Sequence, residues 1–528
     1  MLFRSGTVTS ATFTQAQASW LPRWTGHQAY IQDDWKVMKN LTLNLGLRYA
    51  YETPFSTKYG QNSEFDPTAK DPLTGMMGAI VHNSGPLAKS DRNNFEPRVG
   101  LAWNFAPKFA FRASFGIVHA DILAPTQNIN FDEYVATASI AQVPGNPNYV
   151  FKLSQGPPNF AYSLQSNGAT NFVGSNYSTR TATWWDPNIR NPYVMSWSGG
   201  VQWEFAHNWL AEGLYQGQAG IGLINAWNIN AIPLNISTNP ATLAAIYKAT
   251  QNYLPYPQFG TITGYSNYGH NTYHAGTLRV QRRMTAGVSI TAFYTYQKNM
   301  SECDAEGTCS GITYYNRSLE KARTSYDTTH RFVSIVTYDL PLGKGRHWLN
   351  HGGVLNQVLG GWELTETQTL QSGPPFTVTF AGSPYQYLPG ASRPNIVTTI
   401  PQATVQGWNI GPNRFPTSAQ NPYLNMSSFA YPAAFTPGNL ARNSFEAPGL
   451  NWMQVSLAKW WTIKEKYRFQ LRFDGYNWPL EHAQWAPPSS VYNVGSPGTF
   501  ARMTAVQGSF SGIGAGRPNM WLIGRFEF

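Results

Sequence analysis

The chain is poor in charge. Only 12% of its 528 residues are Asp, Glu, Lys or Arg, about half the share usual in a soluble globular protein. What charge there is leans basic, with a formal net of +10. It is spread thinly, and no block of Lys and Arg occurs. That argues against a nucleic-acid-binding protein, whose electrostatic footprint is clustered. Cysteine is scarcer still. Two Cys exclude a disulfide scaffold and a thiolate zinc module. No apolar run reaches the roughly 18 residues a transmembrane helix needs. The N-terminal MLFRSGTVTSATF has no charged region followed by an apolar one, so it does not read as a signal peptide.

Aromatics, by contrast, are plentiful: 15% of the chain, with 19 Trp, 29 Tyr and 29 Phe. Such content argues against disorder. The residues are also ordered along the chain with a period of two. From Leu41 the sequence reads LTLNLGLRYAY. Leu41, Leu43, Leu45, Leu47, Tyr49 and Tyr51 share one face, and Thr42, Asn44, Gly46, Arg48 and Ala50 the other. This is the β-strand period, and the segment is as long as a tilted strand that crosses a bilayer, about 9–11 residues. Val99 to Phe105, Phe109 to Ile117 and Tyr467 to Phe473 repeat the pattern.

Thirteen strands are predicted, at 26–37, 40–51, 96–106, 108–119, 192–205, 208–218, 273–283, 286–298, 330–340, 361–372, 451–462, 466–477 and 519–528. No fixed-period repeat accompanies them, which argues against a propeller or solenoid. Short links alternate with long ones (52–95, 120–191, 219–272, 299–329, 373–450 and 478–518), the asymmetry of transmembrane barrels with short periplasmic turns and long outer loops. The exception is 341–360, a long link where a short one belongs. A soluble half-buried sheet also alternates. The aromatics at strand ends (Trp35, Tyr49, Tyr51, Trp460, Trp461, Tyr476, Trp478) favour the membrane, where they form interfacial girdles. The fold class expected is therefore all-β, an antiparallel transmembrane β-barrel.

Asp33 and Asp34 are adjacent, so one of them must share the apolar face. Both are expected near the periplasmic interface, where a charge costs little. Arg48, Arg112, Arg468, Arg472 and Asp474 fall on the inward face. A cross-strand charge ladder is the favoured reading, and contact with an anionic solute or a plug is the alternative. Cys303 and Cys309, in ECDAEGTC, would form a small disulfide loop in an oxidising exterior, although sequence does not fix their Cα separation. Glu302, Asp304 and Glu306 lack EF-hand spacing, so a solvated acidic loop is expected rather than a Ca²⁺ site. His347 and His351 lack the carboxylate of HExxH, and SGIGAGRP at 511–518 follows no nucleotide-binding strand. No catalytic residue, cofactor site or metal site is expected, and the chain does not read as an enzyme.

Several segments resemble one family. YIQDDWKVMKNLTLNLGLRYAYETP at 30–54 is similar to the barrel of TonB-dependent outer-membrane receptors, most of all the Oar-like subgroup with its carboxypeptidase-regulatory-like N-terminal domain. FEPRVGLAWNF at 95–105, NPYVMSWSGGVQWEF at 191–205, DTTHRFVSIVTYDLPLGKGR at 327–346, GGWELTETQTLQSGPPFTV at 360–378 and YRFQLRFDGYNW at 467–478 follow in the same order. The terminal strand, with Phe526 and Phe528, resembles the signal by which such barrels are recognised for insertion. The resemblance implies a bacterial outer-membrane location and energised uptake of a scarce solute, such as a siderophore or oligosaccharide. It also implies partners: outer-membrane lipid, the barrel-assembly machinery, a small solute, and a TonB complex reached through an N-terminal part. The family's signal peptide, plug and first strands have no counterpart here. Since such barrels have about 22 strands, residues 1–25 are expected to end a preceding loop and 26–528 to form a partial barrel. YNWPLEHAQW at 476–485 departs from the family's usual stretch at that point. A non-transporting adhesin or structural barrel and a soluble β-rich binding protein are the alternatives.

Overall fold

The computed structural model describes residues 6–528, apart from 17–20, 121–134, 142–149, 157–162, 165–169, 172–180, 305–314, 382–391, 407–421, 464–466, 479–484, 504–518, 528, and scattered positions within 55–87, 234–248, 434–435 and 496. One antiparallel path of strands dominates it. In chain order these are β1 (Gly26–Met38), β2 (Leu41–Glu52), β3 (Phe95–Ala106), β4 (Phe109–His119), β5 (Tyr193–Ala206), β6 (Trp209–Asn228) and β7 (Ile262–Thr285). β8 (Val288–Ser301), β9 (His330–Asp339), β10 (Trp362–Gln371), β11 (Leu450–Ile463), β12 (Tyr467–Tyr476) and β13 (Asn519–Glu527) complete it. Each strand pairs with its neighbour in sequence. Two short strands join at the side: Ala182–Trp185 runs parallel to β7, and Ala322–Arg323 pairs with β8. Among the described residues β1 and β13 each have one neighbour in the sheet.

Register carries one face through the whole path. Ile31 lies opposite Leu47, Leu45 opposite Val99, and Val99 opposite Phe115. The same row runs on through Trp197, Gly217 and His274. On this face Ile31 is 74% exposed and Leu278 67%. Apolar side chains left open along an entire sheet need a solvent other than water, and a bilayer supplies it. Tight turns close the hairpins at one end. Lys108, Asn208 and Ala286 adopt positive φ there, the left-handed residue that short hairpin loops require. The turns lie at the periplasmic end by the loop-length rule. The outward aromatics at that end form a continuous band: Trp103, Phe105, Phe109, Trp203, Phe205 and Trp209 follow one another at 5.5–5.9 Å. Farther along the same face, Tyr215 and Tyr294 hydrogen-bond His274 and His330.

The boundaries expected from the alternation agree closely except at β6 and β7, which are much longer. Beyond Ile221 the register shifts twice, and Gly222 takes a φ of 66°. A bulge of this kind re-aims a strand. The hairpin then continues outside the membrane with both faces covered. Trp185 and Ile189 pack against Ile224, Ala226 and Tyr265. A strand covered on both sides loses its alternation, which is why the sequence pattern ended early. Two further expectations need correction. Trp460 and Tyr476 are not girdle residues: Trp460 lies opposite Gln470, and Tyr476 lies on the same inward face of β12. Asp33 is not at the turn. It sits opposite Leu45 on the outward face, while Asp34 faces inward and accepts a 2.6 Å hydrogen bond from Asn44.

The long loops carry packed cores of their own. In one lobe, Phe65, Ala182, Phe259 and Ile262 are buried together. Phe65 comes from the hairpin of Asn62–Lys70 with Met77–Asn83. Gln258 ties that hairpin down by donating to the carbonyls of Met77 and Gly78 at 2.7 and 2.8 Å. The second lobe, a cap, buries Phe376, Val378, Leu424, Phe429, Phe445 and Phe500 together with six others among the described residues. Within it, Thr379–Phe380 pairs in parallel with Val491–Tyr492. Gly373 is obligatory there, because a Cβ would lie 1.7 Å from the Ala447 carbonyl oxygen.

Candidate functional site

The inward face of the strands is a polar wall. Ser114 and Ser198 share a hydrogen bond at 2.8 Å, Thr277 and Thr295 one at 2.9 Å, and Gln202 donates to Glu212 at 2.8 Å. Four of the five charged residues placed here from sequence are engaged with neighbours. Arg48 pairs with the buried Glu96 at 2.9 Å, and Glu96 also accepts the backbone N–H of His119. Arg472 pairs with Asp474 at 2.9 Å, and Asp474 accepts from Ser456 at 2.7 Å. Arg468 lies 3.7 Å from Glu527, with its guanidinium 4.4 Å from the centre of the Trp460 ring. Arg112 is exposed and has no ion pair among the described residues.

Two recesses open on this wall. One, of about 440 Å³, is lined by Gln32, Asn44, Arg98, Ser114 and Ser196 among others. The second, of about 280 Å³, is bordered by Glu363, Thr365, Gln454, Gln470, Arg472 and Asp474. Arg98 is exposed and, like Arg112, makes no ion pair among the described residues. Arg98 is not among the charges expected on this face, although FEPRVGLAW places it one step before Val99 and hence inward, opposite Gly46.

Above the wall, a polar seam binds the loop after β8 to the cap. Arg393 donates to both carboxylate oxygens of Glu320, at 3.2 and 3.0 Å, and both side chains are almost fully buried. Arg442 reaches Asp304 at 2.7 Å and also donates to the Ser301 carbonyl. Arg323 pairs with Glu446. Asp304 is therefore used by an arginine, and Glu302 lies beside His270 at 3.9 Å. Glu306 lies outside the described residues. Among the described residues no group of three potential metal ligands occurs, His347 and His351 included. Asp327 adjoins the seam and is buried, with Oδ1 accepting the Asn299 N–H at 3.0 Å. Burial pushes its carboxyl above the ordinary range, against the pull of that N–H and of Arg323. Tyr423 donates to the Glu446 carbonyl at 2.8 Å, and burial raises its phenol.

No described cysteine is free. Cys303 accepts a hydrogen bond from Ser301 through its carbonyl, and Cys309 lies outside the described residues. Phe526 pairs in register with Phe469 on the outward face and is exposed. Phe528 lies outside the described residues.

These features are what an outer-membrane barrel wall with ordered outer loops presents. Several known proteins are similar to this chain. Among solved structures, the outer membrane transporter YddB from Escherichia coli aligns over 96% of this chain and 54% of its own, at 10% identity and a TM-score of 0.44. The ferripyoverdine receptor of Pseudomonas aeruginosa aligns over 96% and 39%, at 8% identity and 0.41. The ferric-catecholate import receptor Fiu from E. coli K12 aligns over 96% and 45%, at 11% identity and 0.41. The chain thus spans about half or less of the length of these transporters. No curated protein matches it by sequence. The family model described as outer membrane beta barrel domain matches residues 2–516. The chain belongs to the outer-membrane β-barrel family and resides in the bacterial outer membrane.

Proposed function

We propose that this chain is the barrel part of a TonB-dependent receptor of the Oar-like subgroup that takes up a scarce solute. The observation that carries the reading is the pairing of packed outer lobes with a polar inward wall. The lobes are built on buried aromatic cores and expose Tyr59 and Tyr253, whose rings are suited to stacking on sugars or chelates. Beneath them Arg98 and Arg112 offer cationic donors that no carboxylate engages among the described residues. A wall built only for mechanical strength has no need of them. The ordered set of segments similar to the receptor barrel supports the same reading.

The chain is then the C-terminal portion of a longer barrel. Among the described residues, thirteen strands with one sheet neighbour each at β1 and β13 compare with about 22 in transporters of this type. The TonB contact and the plug belong to the part that precedes it, and the barrel-assembly machinery recognises the terminal strand. Cys303 and Cys309 close a small loop in the oxidising exterior.

The test starts with the DNA upstream of the Met1 codon. An open frame encoding more alternating strands and a plug agrees with the proposal. A stop codon immediately upstream removes it. Growth of a deletion strain on limiting iron chelates and oligosaccharides then reads the activity. A TonB-dependent defect on one solute supports uptake. Unchanged growth with lost surface attachment would establish an adhesin instead.

A further inference from the structure

The long link between β9 and β10 breaks the rule of short periplasmic turns, and uptake gives it no role. It contains a single-turn-and-a-half helix, α1 (Val354–Leu359), placed between Gly353 and Gly360. The last carbonyls of a helix lack internal partners. Here two of them are used to fasten it: Trp362 donates its indole N–H to the Val358 carbonyl at 2.8 Å, and Trp461 donates to that of Gln357 at 2.9 Å. Both tryptophans are on the outward face, since Trp362 lies opposite Lys459, and Trp461 is two residues further along β11. Lys459 is 2% exposed, with its ammonium 5.1 Å from the Trp461 ring and 5.9 Å from the Trp362 ring. The helix is thus held against the lipid-facing side of the barrel at its periplasmic rim.

Its orientation there is fixed. Asn356 turns inward and accepts the Lys344 N–H at 2.7 Å. The apolar side chains point away from the protein: Val354 is 80% exposed, Leu355 64% and Val358 58%, with Trp348 at 57% nearby. Beside them Lys344 is exposed, and Arg346 reaches Asp339 at 3.2 Å. We propose that α1 and the turn before it form a foot that inserts into the inner leaflet of the outer membrane, its apolar side chains at the acyl boundary and its cations on anionic phospholipid headgroups. Three points favour lipid. The patch adjoins outward aromatics of the wall: the helix is bonded to Trp362 and Trp461, and Trp461 lies 5.5 Å from Phe469. Its exposed Lys344 is complementary to an anionic phospholipid surface. Its few side chains fall far short of the roughly 800 Å² per partner that a stable dimer buries. A short amphipathic element with cations at its border lies in the interface plane in this way.

Val358→Cys in the full chain, with Cys303 and Cys309 replaced by Ser, provides the site for an environment-sensitive fluorophore. The protein is reconstituted into vesicles of phosphatidylethanolamine and phosphatidylglycerol. Heat-modifiable migration in gels confirms that each variant is folded. Leu278→Cys marks the lipid-facing wall, and Tyr326→Cys marks water. The label at position 358 should be quenched severalfold more by nitroxide-bearing lipid than by iodide, as at 278. Replacing phosphatidylglycerol with phosphatidylcholine, or Lys344 with Gln, should reduce that ratio. Iodide quenching equal to that at 326 would overturn the proposal. So would protection from both quenchers, which would mean that a protein or a second copy covers the helix.

Discussion

The wall and the cap treat the same residue types in opposite ways. In the cap, Val378 and Leu424 are fully enclosed and Phe445 is 1% exposed. In the wall, Leu278, Ile31 and Leu522 stand open. Neither pattern is a defect. The cap faces water on its outside and must bury apolar area in a core of its own. The wall borders hydrocarbon, so its apolar side chains are satisfied without a protein partner. Polar groups follow the reverse arrangement. In the wall they are stacked in hydrogen-bonded rows on the inward face. In the cap and its seam a few charges are enclosed in pairs. The difference shows that accessible area alone cannot rank the importance of a residue here, because two solvents are in play.

Substitutions can break this comparison, and the largest effects should fall in the cap. Glu320→Ala strips the buried Arg393 of its carboxylate and should cost about 3–5 kcal/mol. Phe445→Ala opens a cavity and should cost about 3–5 kcal/mol. In both cases limited proteolysis should cut the cap while the wall keeps its heat-modifiable migration; loss of the wall as well would show that the two regions are one cooperative unit. Val201→Arg comes next. Val201 is outward, between Phe111 and Gly213, and an arginine near mid-depth should cost about 2–4 kcal/mol in lipid. Its neighbour Gln202 faces inward onto Glu212, so Gln202→Arg should change stability by less than about 1 kcal/mol. Equal costs at these two positions, measured by denaturant titration in vesicles, would remove the facing assignment. Leu45→Arg sharpens the point. Asp33 lies directly opposite on the same face, so this arginine has a partner and should cost less than the one at 201.

The smallest effect concerns pH. The Asp327 carboxyl is held above its ordinary range, mainly by burial. Its protonated form is therefore the one the fold prefers. That contribution is fully present below the unfolded-state carboxylate range and is lost as pH rises through the folded value. Asp327→Asn should then be more stable than the parent at neutral pH, and the gap should close on acidification. A gap that is constant with pH in thermal scans of the outer lobes would contradict it.

The wall was legible in the sequence because lipid on one side and polar side chains on the other impose a strict period of two. Thirteen strands were identified from that period alone. Where it fails, so did the reading. The outer halves of β6 and β7 are packed on both faces, so AGIGLINAWN shows no alternation. Glu366 is inside a well-placed strand yet faces outward, opposite Val336 and Val455, which composition does not announce. The inward placement of Arg48, Arg468, Arg472 and Asp474 followed from face assignment. The seam of Glu320, Arg393 and Arg442 did not, because its members lie far apart in sequence and in loops without periodicity. Pairings of that kind depend on how loops meet, which no local pattern records.

The composition of the cap core bears on the order of assembly. Its members come from both sides of β11 and β12: Phe376 to Ala447 precede those strands, and Tyr492, Phe500 and Ala501 follow them. The cap cannot close until that hairpin has been laid into the sheet and the chain has returned outward. Contacts of such long sequence separation form late. Resistance of the cap to protease is therefore a clock for insertion, turning on only after the C-terminal strands have crossed the membrane.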